Sequence, residues 1–215
     1  MTTWFTSDTH FGHVRICQLE QRPFGEPILP DDPPEVQKAK AVKACGIMDE
    51  AIIENWNSYV KPGDIVRHQG DFAFHNPLQY LERLNGSIHL CLGNHDKLTQ
   101  VQKSKFASCK GDDYIKLNGQ KIHLYHYKCQ VWRSNYRGTW HVHGHSHCQL
   151  KRHIECACPK CGHQFQHSIE GKYIDVGIMS KGWRIGIPWL WSFEEIAEFM
   201  KDKPSSRHHD MLEEE

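Results

Sequence analysis

"SIHLCLGNHDK", residues 87–97, is an apolar run that breaks into Gly-Asn-His-Asp. The run reads as a β-strand and the Gly-Asn that follows as a turn. A turn has a use for glycine and asparagine. It has none for His95, so the role of that histidine depends on what the rest of the chain could bring to meet it. The same arrangement, a strand ending in a polar tip, recurs along the sequence. "TWFTSD" (3–8) opens into "SDTHFGH", with Asp8, His10 and His13. "DIVRHQGDF" (64–72) ends at Asp71. "YIKLNGQKIHLYH" (114–126), a hairpin around Asn118-Gly119, ends at His126. "TWHVHGHSH" (139–147) carries His145 and His147.

Helical signals lie between these strands. Residues 35–59 place Ile47, Ala51, Ile52, Trp56 and Tyr59 at spacings of three and four, one face of an amphipathic helix, and "KPGD" (61–64) stops it. "NPLQYLERLNG" (76–86) has Pro near its start and Gly after its end. "SFEEIAEFM" (192–200) begins with Ser192 as N-cap and Glu195 closing a capping box. "PFGEPILPDDPP" (23–34) must be a loop, and "KYIDVGI" (172–178) is a further strand. Strand–helix alternation that gives way to hairpins predicts an α/β fold of two packed mixed β-sheets flanked by helices.

The chain has 215 residues, 39% of them hydrophobic, enough for a proper core. No run of eighteen apolar residues exists, and "MTTWFTSDTH" has neither the basic nor the apolar part of a signal peptide. The expectation is a cytoplasmic protein with no membrane partner. Twenty-six basic and 26 acidic side chains balance to a formal charge of +0, which gives no support to a general electrostatic nucleic-acid binder. Nine cysteines, an odd number, argue against a disulfide framework, and 17 histidines point mildly to metal.

Oxygen and nitrogen ligands thus gather at strand ends, where α/β sheets build their sites. On an extended chain Asp8 and His10 point the same way, as do His145 and His147, so each pair could hold one metal from one side. Asp71, after a glycine, could bridge two ions, and Asn94 offers a neutral oxygen. With no thiolate among them, the set suits Mn²⁺, Fe, Zn²⁺ or Ni²⁺.

In this order the blocks D-x-H, G-D, G-N-H-D, H and G-H-x-H resemble the calcineurin-like metallophosphoesterases, in their small bacterial and phage branch. They run from Asp8 to His147, about two thirds of the chain, and "ENWNSYVKPGDIV", "YRGTWHVHGHSH" and "IDVGI" extend the likeness. The resemblance implies a four-layer α/β/β/α sandwich over residues 1–201, and the polar composition of 202–215 reads as a tail. It implies Asp8, His10 and His147 on one metal, Asn94, His126 and His145 on the other, and Asp71 between them. It implies hydrolysis by a hydroxide that bridges the two ions, with His95 protonating the leaving oxygen, Asp96 orienting His95, and His13 as a second acid or a supporting donor. The phosphoprotein phosphatases of that superfamily carry "GDxxDRG" and "GNHE", whereas this chain has "GDFAFHN" and "GNHD". The missing arginine favours phosphodiesters over dianionic monoesters. Monoester hydrolysis, a nuclease acting on nucleic-acid ends and a catalytically silent metal-binding scaffold are the alternatives. The expected substrate is a small molecule or nucleotide, with nucleic acid open. Arg67 and Gln69 depart from the apolar residues of this branch, and Arg67 reads as a surface residue or a phosphate contact.

"HIECACPKCGHQFQH" (153–167) is a different object. Cys158-Pro-Lys-Cys161-Gly has the zinc-knuckle shape, and Cys156 adds a thiolate. His163, His167, Cys148 or His153 could complete a structural Zn²⁺ site in an insertion over 148–171. The remaining cysteines, 17, 45, 91, 109 and 129, read as ordinary buried or half-buried residues.

Overall fold

The computed structural model describes residues 1–147, 153–157, 164–168 and 171–205, the two middle segments by their backbone pairing. Strand β1 (Thr3–Thr6) is followed by a helical turn α1 (Ile16–Leu19) and the long helix α2 (Pro34–Tyr59). Then come β2 (Ile65–His68), α3 (Leu78–Leu81), β3 (Ser87–Cys91), α4 (Gln100–Lys103) and β4 (Ser108–Lys110). The hairpin β5 (Asp112–Leu117) and β6 (Gln120–Tyr125) leads to β7 (Trp140–His143). An antiparallel pair, β8 (His153–Ala157) and β9 (Gln164–Ser168), precedes β10 (Tyr173–Asp175), β11 (Trp191–Ser192) and α5 (Phe193–Met200).

Two mixed sheets result. One has the order β11-β1-β2-β3-β4 and the other β10-β7-β6-β5. The four parallel strands β1, β2, β3 and β4 need crossovers, which carry α2, α3 and α4 in turn. Between the sheets lies a core of Phe5, Cys91, Ile122, Leu124, Val142 and Ile174, closed at one end by Ile196 and Met200 of α5. On the outer face of the first sheet, Val66, Ile88 and Leu90 pack against Met48, Ile52 and Trp56 of α2. Burying each of those large side chains stabilises the layer by about 1.5–3 kcal/mol. This is the sandwich that the alternation of strands and helices predicts.

Local details differ from the periodicity. The buried stripe of α2 runs through Ala41, Ala44, Cys45, Met48, Ile52, Ile53 and Trp56, which leaves Ile47 43% exposed. Helix 76–86 shrinks to the single turn Leu78–Leu81. The capping box of α5 forms as expected, Ser192 Oγ accepting from Glu195 N and the Glu195 side chain accepting from Ser192 N. Asn118 and Gly119 both take positive φ, 48° and 84°, as a type I′ hairpin turn requires. Arg67 is half-buried rather than free on the surface. It reaches from β2 to Asp113 of β5 at 3.4 Å and ties the two sheets together. No helix among the described residues is long and apolar enough to cross a membrane.

Candidate metal centre

The strand ends of both sheets meet at one edge, and the polar tips singled out above converge there. Asp8, His10 and His147 each bring a ligand atom within 4.8 Å of the other two, and so do Asp71, His126 and His145. Asp71 lies between the groups. Its Oδ2 is 3.8 Å from His10 Nε2 and 3.5 Å from His126 Nε2. Asn94 joins the second group, its Oδ1 3.0 Å from His126 Nε2.

The structure keeps one of the pairs expected from an extended chain together and separates the other. Asp8 and His10 do share a cluster, but His145 and His147 go to separate ones. None of the four lies on extended backbone: φ is 57° at Asp8, 52° at His10, 64° at His145 and 46° at His147. Asp71 is also left-handed, at 55°. Each such residue costs on the order of 1–3 kcal/mol. The left-handed turns replace the period of two as the device that aims these side chains.

Close packing makes the strained turns possible. A Cβ on Gly93 would lie 2.2 Å from Asp71 Oδ1, and one on Gly144 would lie 2.4 Å from Asp8 Oδ2. Gly93 is therefore required by the approach of Asp71 rather than by its own dihedral. Asp96 serves the same end. Its carboxylate accepts from the backbone N–H of Asp71 (2.8 Å), Phe72 (2.9 Å) and Gly93 (2.8 Å). These contacts correct the expectation that Asp96 orients the His95 ring: it joins the Asp71 turn to the Gly93 turn. His95 is positioned instead through its backbone, whose N–H donates to Asp71 Oδ1 at 2.9 Å. Its exposed ring stands 5.8 Å from that of His10 and 5.0 Å from that of Phe74. His13 stands on the other side of Phe74, ring to ring at 4.1 Å, and its Nδ1 accepts from Arg15 N.

The donor set fits divalent ions. His126 Nδ1 is 2.8 Å from the Gln69 carbonyl, which can only accept, so Nδ1 carries the proton. Nε2 faces Asn94 Oδ1 at 3.0 Å, and in the tautomer a metal requires no proton lies between them. A divalent ion would draw on both the ring nitrogen and the amide oxygen, and a ligating histidine fixed by a carbonyl at its other nitrogen is the usual arrangement. Both nitrogens of His10, 3% exposed, lack a hydrogen-bond partner. On the far side of His147, Glu20 Oε2 lies 3.5 Å from Nδ1, a carboxylate behind a ligand.

Burial dominates the electrostatics. Together with the Asp175 and Asp71 charges it pushes the Asp8 carboxyl well above its usual range. It also lowers His10, His13, His145 and His147, and raises Asp96. Bound cations invert this logic by favouring carboxylates and bare imidazoles.

Sequence reasoning missed Glu20, Phe74, Arg22 and His68, since no spacing marks them. Arg22, 3% exposed, donates to the carbonyls of Asp8 (2.8 Å) and Thr9 (3.0 Å) and so holds the first ligand loop. His68 is fully buried. Its Nδ1 accepts from Gly70 N (3.2 Å), so Nε2 carries the proton, and it lies 3.0 Å from Thr9 Oγ1, which in turn donates to the Phe72 carbonyl (2.7 Å). Burial, with a smaller push from His126, lowers His68 to about 3. The folded state therefore holds this ring neutral, while the unfolded chain protonates it near pH 6.5. Its contribution is complete above pH 6.5 and is lost as the pH falls towards 3, at up to about 1.4 kcal/mol per pH unit. In metal-free urea titrations His68→Gln is expected to show a shallower loss of stability between pH 6.5 and 4.5, by close to one proton. Equal slopes would mean that His68 is not the buried neutral ring described.

The expected zinc-knuckle ligands Cys148, Cys158, Cys161 and His163 lie outside the described residues, as do the side chains of Cys156, His153 and His167.

No family model matches the chain. The uncharacterized protein MJ1445 of Methanocaldococcus jannaschii is 32% identical over 149 residues, which cover 67% of this chain and 68% of that protein. The protein of unknown function AQ665 from Aquifex aeolicus has a similar structure, with a TM-score of 0.59 at 22% identity over 92% of this chain and 98% of that one, and shows a shared fold. The phosphoesterase YfcE from E. coli aligns more loosely, with a TM-score of 0.37 at 16% identity over 68% and 70% of the two chains.

Proposed function

We propose that this chain, which belongs to one family with MJ1445 and has the calcineurin-like metallophosphoesterase fold, is a di-metal phosphoesterase that hydrolyses phosphodiesters. The observation that carries the reading is the position of Asp71, whose Oδ2 lies within 4 Å of a histidine from each cluster. Two adjacent N/O ligand groups joined by one carboxylate are what a two-metal hydrolase uses.

Asp8, His10 and His147 would hold one divalent ion and Asn94, His126 and His145 the other, with Asp71 reaching both. Bound there, two ions supply Lewis acidity that activates water and neutralises charge on the phosphoryl oxygens. The chain does the rest. Asp71 Oδ1 holds the His95 backbone, which sets the ring beside the ligand groups. His95 then delivers a proton to the departing alkoxide. Phe74, between His95 and His13, gives these rings an apolar wall.

Diester preference rests on charge. Arg22, whose field reaches His10 and His147, is spent on backbone carbonyls and is not free to meet the second charge of a monoester. Small-molecule or nucleotide diesters are the proposed substrates. With Mn²⁺ added to metal-stripped protein, bis-p-nitrophenyl phosphate is expected to turn over at least about tenfold faster than p-nitrophenyl phosphate. Faster monoester turnover would make the chain a phosphomonoesterase. No turnover of either, with two ions bound, would favour a catalytically silent scaffold.

A further inference from the structure

A second set of metal-ligating side chains lies away from the catalytic edge. In the β6–β7 pair His123 sits directly opposite His141. Their neighbours Ile122, Leu124, Trp140 and Val142 face the core between the sheets, so the alternation of a strand turns both imidazoles to the outer face. An outer face covered by a loop is ordinarily lined with apolar side chains. Here the loop that leaves β6 folds back over two histidines, with His141 0% and His123 6% exposed, and brings Cys129 to them.

We propose that His123, Cys129 and His141 form a third metal site, which takes zinc and fastens this loop to the second sheet. One ligand atom from each residue lies within 4.8 Å of the other two. Around a tetrahedral Zn²⁺, with Zn–N about 2.0–2.1 Å and Zn–S about 2.3 Å, such atoms sit roughly 3.3–3.6 Å apart. The site has to close by about an ångström, a movement that a loop cysteine supplies. Two imidazoles and a thiolate favour zinc over the harder manganese or magnesium.

The hydrogen bonds point the same way. Cys129 N donates to His141 Nε2 at 3.0 Å, which leaves the ring proton on Nδ1, 3.4 Å from the His123 carbonyl. Nε2, which takes the Cys129 N–H, also lies 3.2 Å from the Tyr127 carbonyl oxygen, and zinc bound there would take over the lone pair that this N–H now uses. His123 Nδ1 is buried with no hydrogen-bond partner. The Asp112 carboxylate, 3.7 Å from His123 Nε2, stands where it could polarise that ring.

The location gives the ion its work. The loop starts at His126, a ligand of the catalytic pair, and the Tyr127 ring packs at 4.6 Å on that of His145. An ion three residues beyond His126 would hold this approach to the centre in place.

The test is differential alkylation of the full chain. After chelation, Cys129 is expected to react with iodoacetamide at least about tenfold faster than after addition of zinc, since a metal-bound thiolate is withdrawn from reaction. Mass spectrometry of the Cys129 peptide reads the rate. Protection should disappear in His123→Gln. It should persist in Asp71→Asn, which disables the catalytic pair, and in the Cys158→Ser/Cys161→Ser double variant, which disables the cysteine insertion. Equal rates with and without zinc in the unaltered chain would overturn the proposal, and so would protection that survives unchanged in His123→Gln. Either failure leaves the manganese-dependent hydrolysis assay untouched.

Discussion

Replacing Asp71 by asparagine is expected to lower phosphodiester turnover by on the order of 10³-fold or more, with the fold intact. The change removes one charge and almost no volume. Asparagine accepts the His95 N–H bond that Oδ1 now takes, and it tolerates the left-handed φ of 55° at this position. What it cannot do is give both ligand clusters a shared anionic oxygen. The metal-free variant is expected to melt no lower than the parent, because a buried carboxylate beside Asp8 is gone. The rise in melting temperature that Mn²⁺ gives the parent should shrink, since ligand-linked stabilisation follows affinity. Full activity in Asp71→Asn would end the two-metal reading. A variant that fails to fold would show that Asp71 matters for the turn first, and metal binding by isothermal titration to Asp71→Glu would then decide the ligand role.

His95→Asn should cost roughly 10²- to 10⁴-fold in kcat, the range for loss of a positioned general acid. The effect must depend on the leaving group. An alkoxide needs the proton, so alkyl diesters should suffer the full loss. A nitrophenolate departs without one, so bis-p-nitrophenyl phosphate should lose far less. Metal content should not change, because the ring is exposed and the fixed contact of the residue is its backbone N–H to Asp71. Equal losses on both classes would mean that His95 binds phosphate rather than donating a proton. No loss on either would remove it from the reaction.

Much of the site was legible residue by residue. Asp8, His10, Asp71, Asn94, His126, His145 and His147 announce themselves as polar side chains at the ends of β-rich runs, next to glycine or another turn residue. The strands themselves, the long helix and the capping box at Ser192 were legible for the same reason: their determinants are neighbours in sequence. The role of Asp96 was not legible. Its three backbone partners include Asp71 and Phe72, more than twenty positions away, and only the adjacency of β2 and β3 brings the two turns together. Glu20 behind His147 and Gln69 behind His126 are hidden for the same reason. Cys129 reads as an unremarkable cysteine until the β6–β7 register sets two histidines beneath its loop.

The amino-acid sequence by itself determined which residues can ligate, because ligand chemistry belongs to the side chain, and where the strands end, because alternation and turn residues are local. It could not determine which ligand joins which cluster. His145 and His147, two residues apart, part company because both adopt left-handed backbone, a conformation imposed by packing against loops from distant strands and not by local preference. Sheet order and register settle that question, and they are set by burial of apolar faces across the whole chain.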